Sequence, residues 1–230
     1  MGLDIHFLGH AFFKLRLCKK NILIDPFVDV GADYRGPPRT IPSAAKESDL
    51  NNIDLILVSN EHPDHFDRAL VERIAVRDRA MVVAHDHVLN QLPRLPRAFW
   101  QPIGMGKKVT VRGINIEGMP AHSPQSFYPL GYMLESDGVR VYHAGDTELL
   151  DDLTGFKANV CLLPIGGGTT MDCVDAVRAV KTLKPDVAIP MHYNTFENIR
   201  QDPSEFKQKI EKSLVKTKAV VLKPGQKYRF

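Results

Sequence analysis

The stretch Val58-Ser59-Asn60-Glu61-His62-Pro63-Asp64-His65-Phe66-Asp67 packs two imidazoles and a carboxylate into four residues. Neutral imidazole and carboxylate are the usual protein ligands of a borderline divalent metal such as zinc. The apolar run Leu55-Ile56-Leu57-Val58 comes before it and a helical pattern begins near Asp67, so these side chains sit on a strand-to-helix loop. Neighbouring side chains diverge on a tight loop, which lets His62 face one metal while Asp64 and His65 face another. Taken alone, the stretch is as readily an exposed polar loop. Three later stretches shift the balance: Pro120-Ala121-His122-Ser123, His143-Ala144-Gly145-Asp146-Thr147 and Met191-His192-Tyr193-Asn194 each leave a strand end. Two divalent ions need roughly four to five ligands each, shared with water and bridged by a carboxylate. His62, His65, His122 and His192 with Asp64 and Asp146 come close to that inventory.

The elements that must position these residues follow from hydrophobic periodicity. Strands are expected over Asp4 to Leu8, Ala11 to Leu17, Asn21 to Ile24 and Met81 to Ala84, and again over Val109 to Val111, Ile114 to Gly118, Gly131 to Leu134 and Val139 to Tyr142. Further strands are expected at Val160 to Leu163, Asp186 to Pro190, Ala219 to Leu222 and Tyr228 to Phe230. Helical spacing marks Asp67 to Arg77 with Leu70, Ile74 and Val76 inward, a segment with Val174, Val177, Val180 and Leu183 on one side, and Pro203 to about Leu214. Strands first, then strands alternating with helices, in each of two halves, suggest two sheets packed face to face with helices outside. At 230 residues with no low-complexity segment or linker, residues 1–230 are expected to form a single domain.

Composition narrows the function classes. A net charge of +3 is too small and too dispersed to argue for nucleic acid or a membrane surface. The start lacks a basic segment followed by a long apolar one, and no apolar run is long enough to span a bilayer, so a cytoplasmic protein without membrane attachment is the expectation. Cys18, Cys161 and Cys173 show no close pairing and read as reduced thiols.

Other residues invite weaker readings. His10 follows Gly9 at a turn and is more simply a turn residue. The long segment from Asp29 to Asp49, with Tyr34, Arg35 and Arg39, could lie over a site as a lid. His85-Asp86-His87 repeats the His-x-His pattern, but a helix start capped by Asp86 explains it more simply than metal binding.

With these residues in view, the chain resembles the metallo-β-lactamase-fold hydrolases, whose ordered signature is His-x-His-x-Asp-His followed by a distant His, Asp and His. Leu8-Gly9-His10-Ala11, Leu23-Ile24-Asp25-Pro26-Phe27, Pro164-Ile165-Gly166-Gly167 and Pro190-Met191-His192-Tyr193 make it most similar to a short, stand-alone branch related to ascorbate-phosphate lactonases. The resemblance implies an αββα four-layer sandwich: two mixed sheets with helices outside and a site along one edge where the sheets meet. It also implies that His62 and His122 bind a first metal, that Asp64, His65 and His192 bind a second, and that Asp146 bridges both. Zinc is the expected metal, with manganese, iron or nickel as alternatives. One position departs from the pattern. The first histidine of the signature is Asn60 here, and an amide oxygen is a poorer zinc ligand than imidazole, so the first site is expected to be weak or empty.

Such a site implies hydrolysis by a metal-bound hydroxide, with Asp64 or Asp146 orienting it or taking its proton. His10, Ser123 and His143 would support the ligands or face the substrate, and the backbone around Gly167 would approach an anionic substrate at a helix start. The leading expectation is a hydrolase of a small ester, lactone or similar acyl substrate. A phosphodiesterase or nuclease on the same scaffold is less favoured, because neither a basic surface nor a docking arm is visible. A non-catalytic metal- or ligand-binding protein with a degraded first site is the third reading. A small molecule is the expected partner, and a homo-oligomer is left open.

Overall fold

The structure is a computed structural model that describes residues 2–29, 34, 36–151 and 153–230. Strands β1 (Asp4–Gly9), β2 (Phe12–Leu17), β3 (Lys20–Ile24) and β4 (Leu55–Leu57) lead into helix α1 (Arg68–Asp78) and strand β5 (Met81–Ala84). Helix α2 (Asp86–Leu89) and strand β6 (Trp100–Pro102) close the first half. The second half runs β7 (Lys108–Val111), β8 (Ile114–Pro120), β9 (Leu130–Ser136), β10 (Val139–His143), β11 (Val160–Pro164), α3 (Cys173–Leu183), β12 (Val187–Met191), α4 (Pro203–Glu211) and β13 (Lys218–Ala219). Strand β14 (Lys227–Arg229) returns to pair with β1.

Two seven-stranded sheets result, in the orders β14-β1-β2-β3-β4-β5-β6 and β13-β12-β11-β10-β9-β8-β7. Each is antiparallel at one side and parallel at the other. The parallel pairs need crossovers, and the helices supply most of them: α1 between β4 and β5, α2 between β5 and β6, α3 between β11 and β12, α4 between β12 and β13. The period of two along the strands divides the apolar side chains. Leu55 and Leu57 join the core between the sheets, whereas Ile56 and Val58 pack with Val71, Ile74 and Ala75 of α1. The mixed αββα sandwich expected from the sequence is the observed fold.

Local differences have simple causes. Val76 lies two residues, about 200° of helix turn, from the inward Ile74, and it is 48% exposed while Val71 and Ala75 are buried. Val174 sits in the first turn of α3 and is exposed, its inward place taken by Cys173 and Ala176. The strand expected over Ala219 to Leu222 is only Lys218–Ala219. Asp67 caps α1, its carboxylate accepting from the Leu70 N–H.

Candidate metal centre

Every candidate ligand lies just past a strand end on one edge of the sandwich. β1, β3 and β4 point the same way, so their C-terminal ends deliver His10, Asp25 and the Asn60–His65 loop together. From the other sheet, β8, β10 and β12 deliver His122, Asp146 and His192. Loops beyond the carboxyl ends of strands are where open α/β sheets place their sites. The sheets are tied together there, because the His192 N–H donates to the His10 carbonyl at 2.8 Å and the Leu130 N–H to the Ser59 carbonyl at 2.9 Å. Gly145 has φ +64°, and a Cβ there would lie 2.5 Å from the Leu130 carbonyl oxygen, so only glycine allows the turn that presents Asp146.

The centre is buried. His65 is fully enclosed and its Nδ1–H donates to Asp25 Oδ2 at 2.8 Å. Asp25 is itself fixed, accepting from the Ser59 N–H and Oγ–H, each at 2.7 Å. This leaves His65 Nε2 facing inward, 2.9 Å from Asp146 Oδ1, while His192 Nε2 lies 3.1 Å from the same oxygen. None of these three buried atoms makes a hydrogen bond of acceptable geometry to a described residue. Buried polar atoms are ordinarily satisfied, so atoms that converge without bonding one another are what a cation site requires. Ligand atoms of His10, Asp64, His65 and His192 all lie within 4.8 Å of one another. Two or three imidazoles with carboxylates suit a divalent ion of the zinc, manganese or iron type.

Without a bound ion these groups hold one another as opposite charges, the pairing that a bound cation would replace. Burial alone would raise the Asp146 pKa, but His65 and His192 outweigh it and hold the carboxyl well below the usual range. Burial would likewise raise Asp64, and the hydrogen bond from His10 and the charges of His65 and His10 overcome it. Burial would depress His65, yet Asp146 and Asp25 hold it high. His10, enclosed and beside His192, is pushed down to about 3 and is a neutral imidazole.

The other half of the signature loop is different. Asn60 is buried, with Oδ1 accepting from the His62 N–H at 2.9 Å and Nδ2 donating to Asp146 Oδ2 at 3.3 Å. His62 lies 3.7 Å from Asp146 Oδ2 through Nδ1, and its Nε2 bonds the Gln125 carbonyl at 3.0 Å. The His122 backbone is held beside Thr147, but its side chain is 62% exposed and turned toward Glu148 at 3.7 Å. The structure therefore does not bring His122 to the cluster expected of it.

Other expectations resolve as follows. His143 is buried, with Nε2 bonding the Ala11 carbonyl at 3.0 Å and Nδ1 accepting from the Gly145 N–H at 3.2 Å, so it braces the turn that carries Asp146. Ser123 is buried, and its Oγ has no partner among the described residues. The Gly167 N–H, expected to face a substrate, donates to the Met171 carbonyl instead, and Asp172 caps α3 with its own carboxylate. At the second His-x-His, the helix cap is His85 rather than Asp86, because His85 Nδ1 accepts from the His87 N–H. Both rings pack on aromatics, His85 on Tyr128 and His87 on Phe127. Of the expected lid, Tyr34 stacks on Phe196 at 6.2 Å and Arg39 lies over Phe27 at 4.2 Å, while Arg35 is outside the described residues.

Two residues carry more than their sequence context suggested. Asp25 reads as the end of a strand, although a carboxylate after a buried strand and before proline was a usable signal. Glu61 accepts from the Phe127 N–H at 2.6 Å and from Ser126 Oγ at 3.0 Å, which fastens the segment bearing Gln125 to the signature loop.

A cavity of about 280 Å³ opens onto the centre. Its lining includes His62, Asp64, Asp146 and His192, the apolar or aromatic Tyr34, Pro37, Phe196 and Ile199, and the polar Gln125, Thr169 and Asn198. A mixed αββα sandwich with a buried His/Asp cluster at the sheet edge defines a class of metal-type sites, and comparison with known proteins gives the family. Residues 20–193 match the family model described as a beta-lactamase superfamily domain. The chain is 40% identical to a UPF0173 metal-dependent hydrolase of Pyrococcus furiosus over 96% of this chain and 97% of that one. It is 36% identical to another of Methanopyrus kandleri, over 97% and 98%. A solved metallo hydrolase of Ignicoccus hospitalis superposes with a TM-score of 0.83 at 32% identity, covering 100% of this chain and 99% of that one. The chain belongs to this metal-dependent hydrolase family of the β-lactamase superfamily.

Proposed function

We propose that the protein hydrolyses a small ester, lactone or similar acyl substrate with the help of a divalent metal ion, zinc first among the candidates. The observation that carries this reading is the juxtaposition of the half-buried Asp64 and the buried His65, Asp146 and His192 with a cavity of about 280 Å³ whose lining mixes apolar and polar side chains. A cavity of that size takes a small molecule rather than a polymer. The lining offers amides and a hydroxyl, and among its described residues no lysine or arginine, which favours an uncharged acyl group over a phosphodiester.

Asp64, His65 and His192 would hold the ion, with Asp146 Oδ1 directed at the same place. A divalent ion there supplies Lewis acidity and makes water available as a nucleophile near neutral pH. The protein's own groups do the rest. Asp25 fixes the His65 tautomer so that Nε2 faces inward. Asp64 and Asp146, both held ionised, can accept a proton from an attacking water. Tyr34 and Phe196 would seat the apolar part of the substrate while Gln125 and Asn198 orient its polar part.

A cytoplasmic setting belongs to the same proposal. All three cysteines are free, and among the described residues no helix is long and apolar enough to cross a membrane. Zinc- or manganese-loaded protein should hydrolyse neutral aryl esters or lactones faster than bis-aryl phosphates. Preference for the phosphates would favour the phosphodiesterase reading. Silence on both despite bound metal would favour a binding protein.

A further inference from the structure

We propose that this chain is built around a single divalent ion, with His10 as a ligand beside Asp64, His65 and His192, and with Asn60 closing the place of a second ion. The inference rests on the reading that the cluster binds metal, and it adds the ligand set and the number of ions.

His10 stands inside the cluster. It is 1% exposed, its Nε2 lies 3.1 Å from Asp64 Oδ2, and its ring centroid is 4.0 Å from that of His192. Phe27 and Phe196 turn edges toward the ring at 5.7 and 5.5 Å. Nδ1 is buried without a partner among the described residues. The ring's one polar engagement among the described residues is through Nε2, toward Asp64, with the His192 ring packed beside it. The turn is committed to this placement: His10 holds a left-handed φ of +61°, and its carbonyl receives the His192 N–H. Two histidines from different sheets are thus fixed to each other by backbone, His10 meeting Asp64 at 3.1 Å and His192 lying between Asp146 at 3.1 Å and Asp64 at 3.9 Å.

Asn60 acts on the opposite side. Its orientation is not free, because exchanging the amide oxygen and nitrogen would set oxygen against the Asp146 carboxylate and NH2 against the His62 N–H. An NH2 group is a donor and cannot ligate a cation. Asp146 consequently offers Oδ1 to the His65 and His192 side while Oδ2 accepts the amide. A two-oxygen bridge by Asp146 would need Oδ2 free of the amide, and on the Asn60 side an NH2 group stands where a ligand nitrogen would be required. His122, the other donor expected at a first site, points to solvent.

An alternative role for His10 is only to orient Asp64 by hydrogen bonding, and one set of measurements separates the two. Metal-free protein would be loaded with zinc, dialysed and assayed for zinc per chain by elemental analysis. Its imidazole count would be read by X-ray absorption, and its affinity by competition with a chromophoric chelator. The expected result is about one zinc per chain with three imidazoles. His10→Asn, whose new side chain tolerates the left-handed turn, should leave two imidazoles. It should weaken zinc by more than the roughly 10–100-fold that loss of a supporting partner costs. His122→Ala should keep one zinc at unchanged affinity. About two zinc per chain, or loss of zinc in His122→Ala, would overturn the single-ion centre while leaving metal binding intact. An unchanged imidazole count in His10→Asn would overturn its role as a ligand. No zinc in the wild type would overturn both this inference and the reading beneath it. If His10→Asn does not fold, the wild-type and His122→Ala zinc counts still decide the number of ions.

Discussion

Asp64 and His65 come from the same short loop as Asn60 and His62, yet the two pairs meet different surroundings. Toward β1, β3 and β12 the loop faces Asp25, His10 and His192, where Asp25 fixes the His65 ring, His10 bonds Asp64 and the His10 carbonyl holds the His192 backbone. Toward β8 it faces Gln125 and the outward-turned His122, and the amide of Asn60 stands against the carboxylate. The difference teaches that a ligand signature is only half of a metal centre. The groups behind the ligands decide whether their lone pairs converge.

The comparison is broken most severely from the Asp64–His65 side. Asp64→Ala and His65→Ala should each reduce hydrolysis by more than about a thousandfold and release the metal, measured as turnover and zinc per chain. Near-normal turnover in either would place the chemistry elsewhere. Asp25→Asn should weaken zinc by about 10–100-fold in chelator competition, since it removes the charge that fixes the His65 ring. Asp25→Ala should also cost on the order of 3–5 kcal/mol in urea unfolding, because it leaves His65 buried without its partner.

Two buried imidazoles of the metal-free protein should also titrate with opposite sign. His10 falls from an ordinary 6.5 to about 3 in the fold, so below pH 6.5 the unfolded chain takes the proton and the folded one does not. Stability from this group is therefore present above pH 6.5 and lost as the pH falls, by about 2 kcal/mol between pH 6.5 and 5. His65 is raised, so its contribution is present in acid and lost as the pH rises through its folded value. Urea midpoints of metal-free protein at pH 6.5 and 5 should drop more in the wild type than in His10→Asn. Equal drops would contradict the buried neutral state of His10. The smallest effect belongs to the Asn60–His122 side: His122→Ala should change stability by less than about 0.5 kcal/mol and turnover by less than about twofold.

Much of this was legible in the sequence. The loop after Leu55-Ile56-Leu57-Val58 and the strand-end positions of Asp146 and His192 followed from type and periodicity, because a buried strand and its exit loop leave a local pattern. His10 was legible only as a residue near the site and not as one of its ligands, since a histidine after glycine at a hairpin looks like any turn residue. Only the parallel alignment of β1 with β3 and β4, set by non-local pairing, brings it to Asp64. Asp25 was hidden for the same reason, its partner lying 40 residues away. His122 shows the converse: its place at a strand end was readable, but the direction of its side chain depends on contacts with Thr147 and Glu148. Val76 and Val174 were misplaced because a count of apolar residues ignores the helical angle at which they stand.

The most direct test of the unequal halves is ester hydrolysis by metal-free protein as zinc is added stepwise. If the Asp64–His65 side carries the chemistry, kcat/KM should rise linearly and level off at about one equivalent of zinc per chain. Activity that stays near zero through the first equivalent and appears only with the second would show that both halves are needed, and would contradict this account.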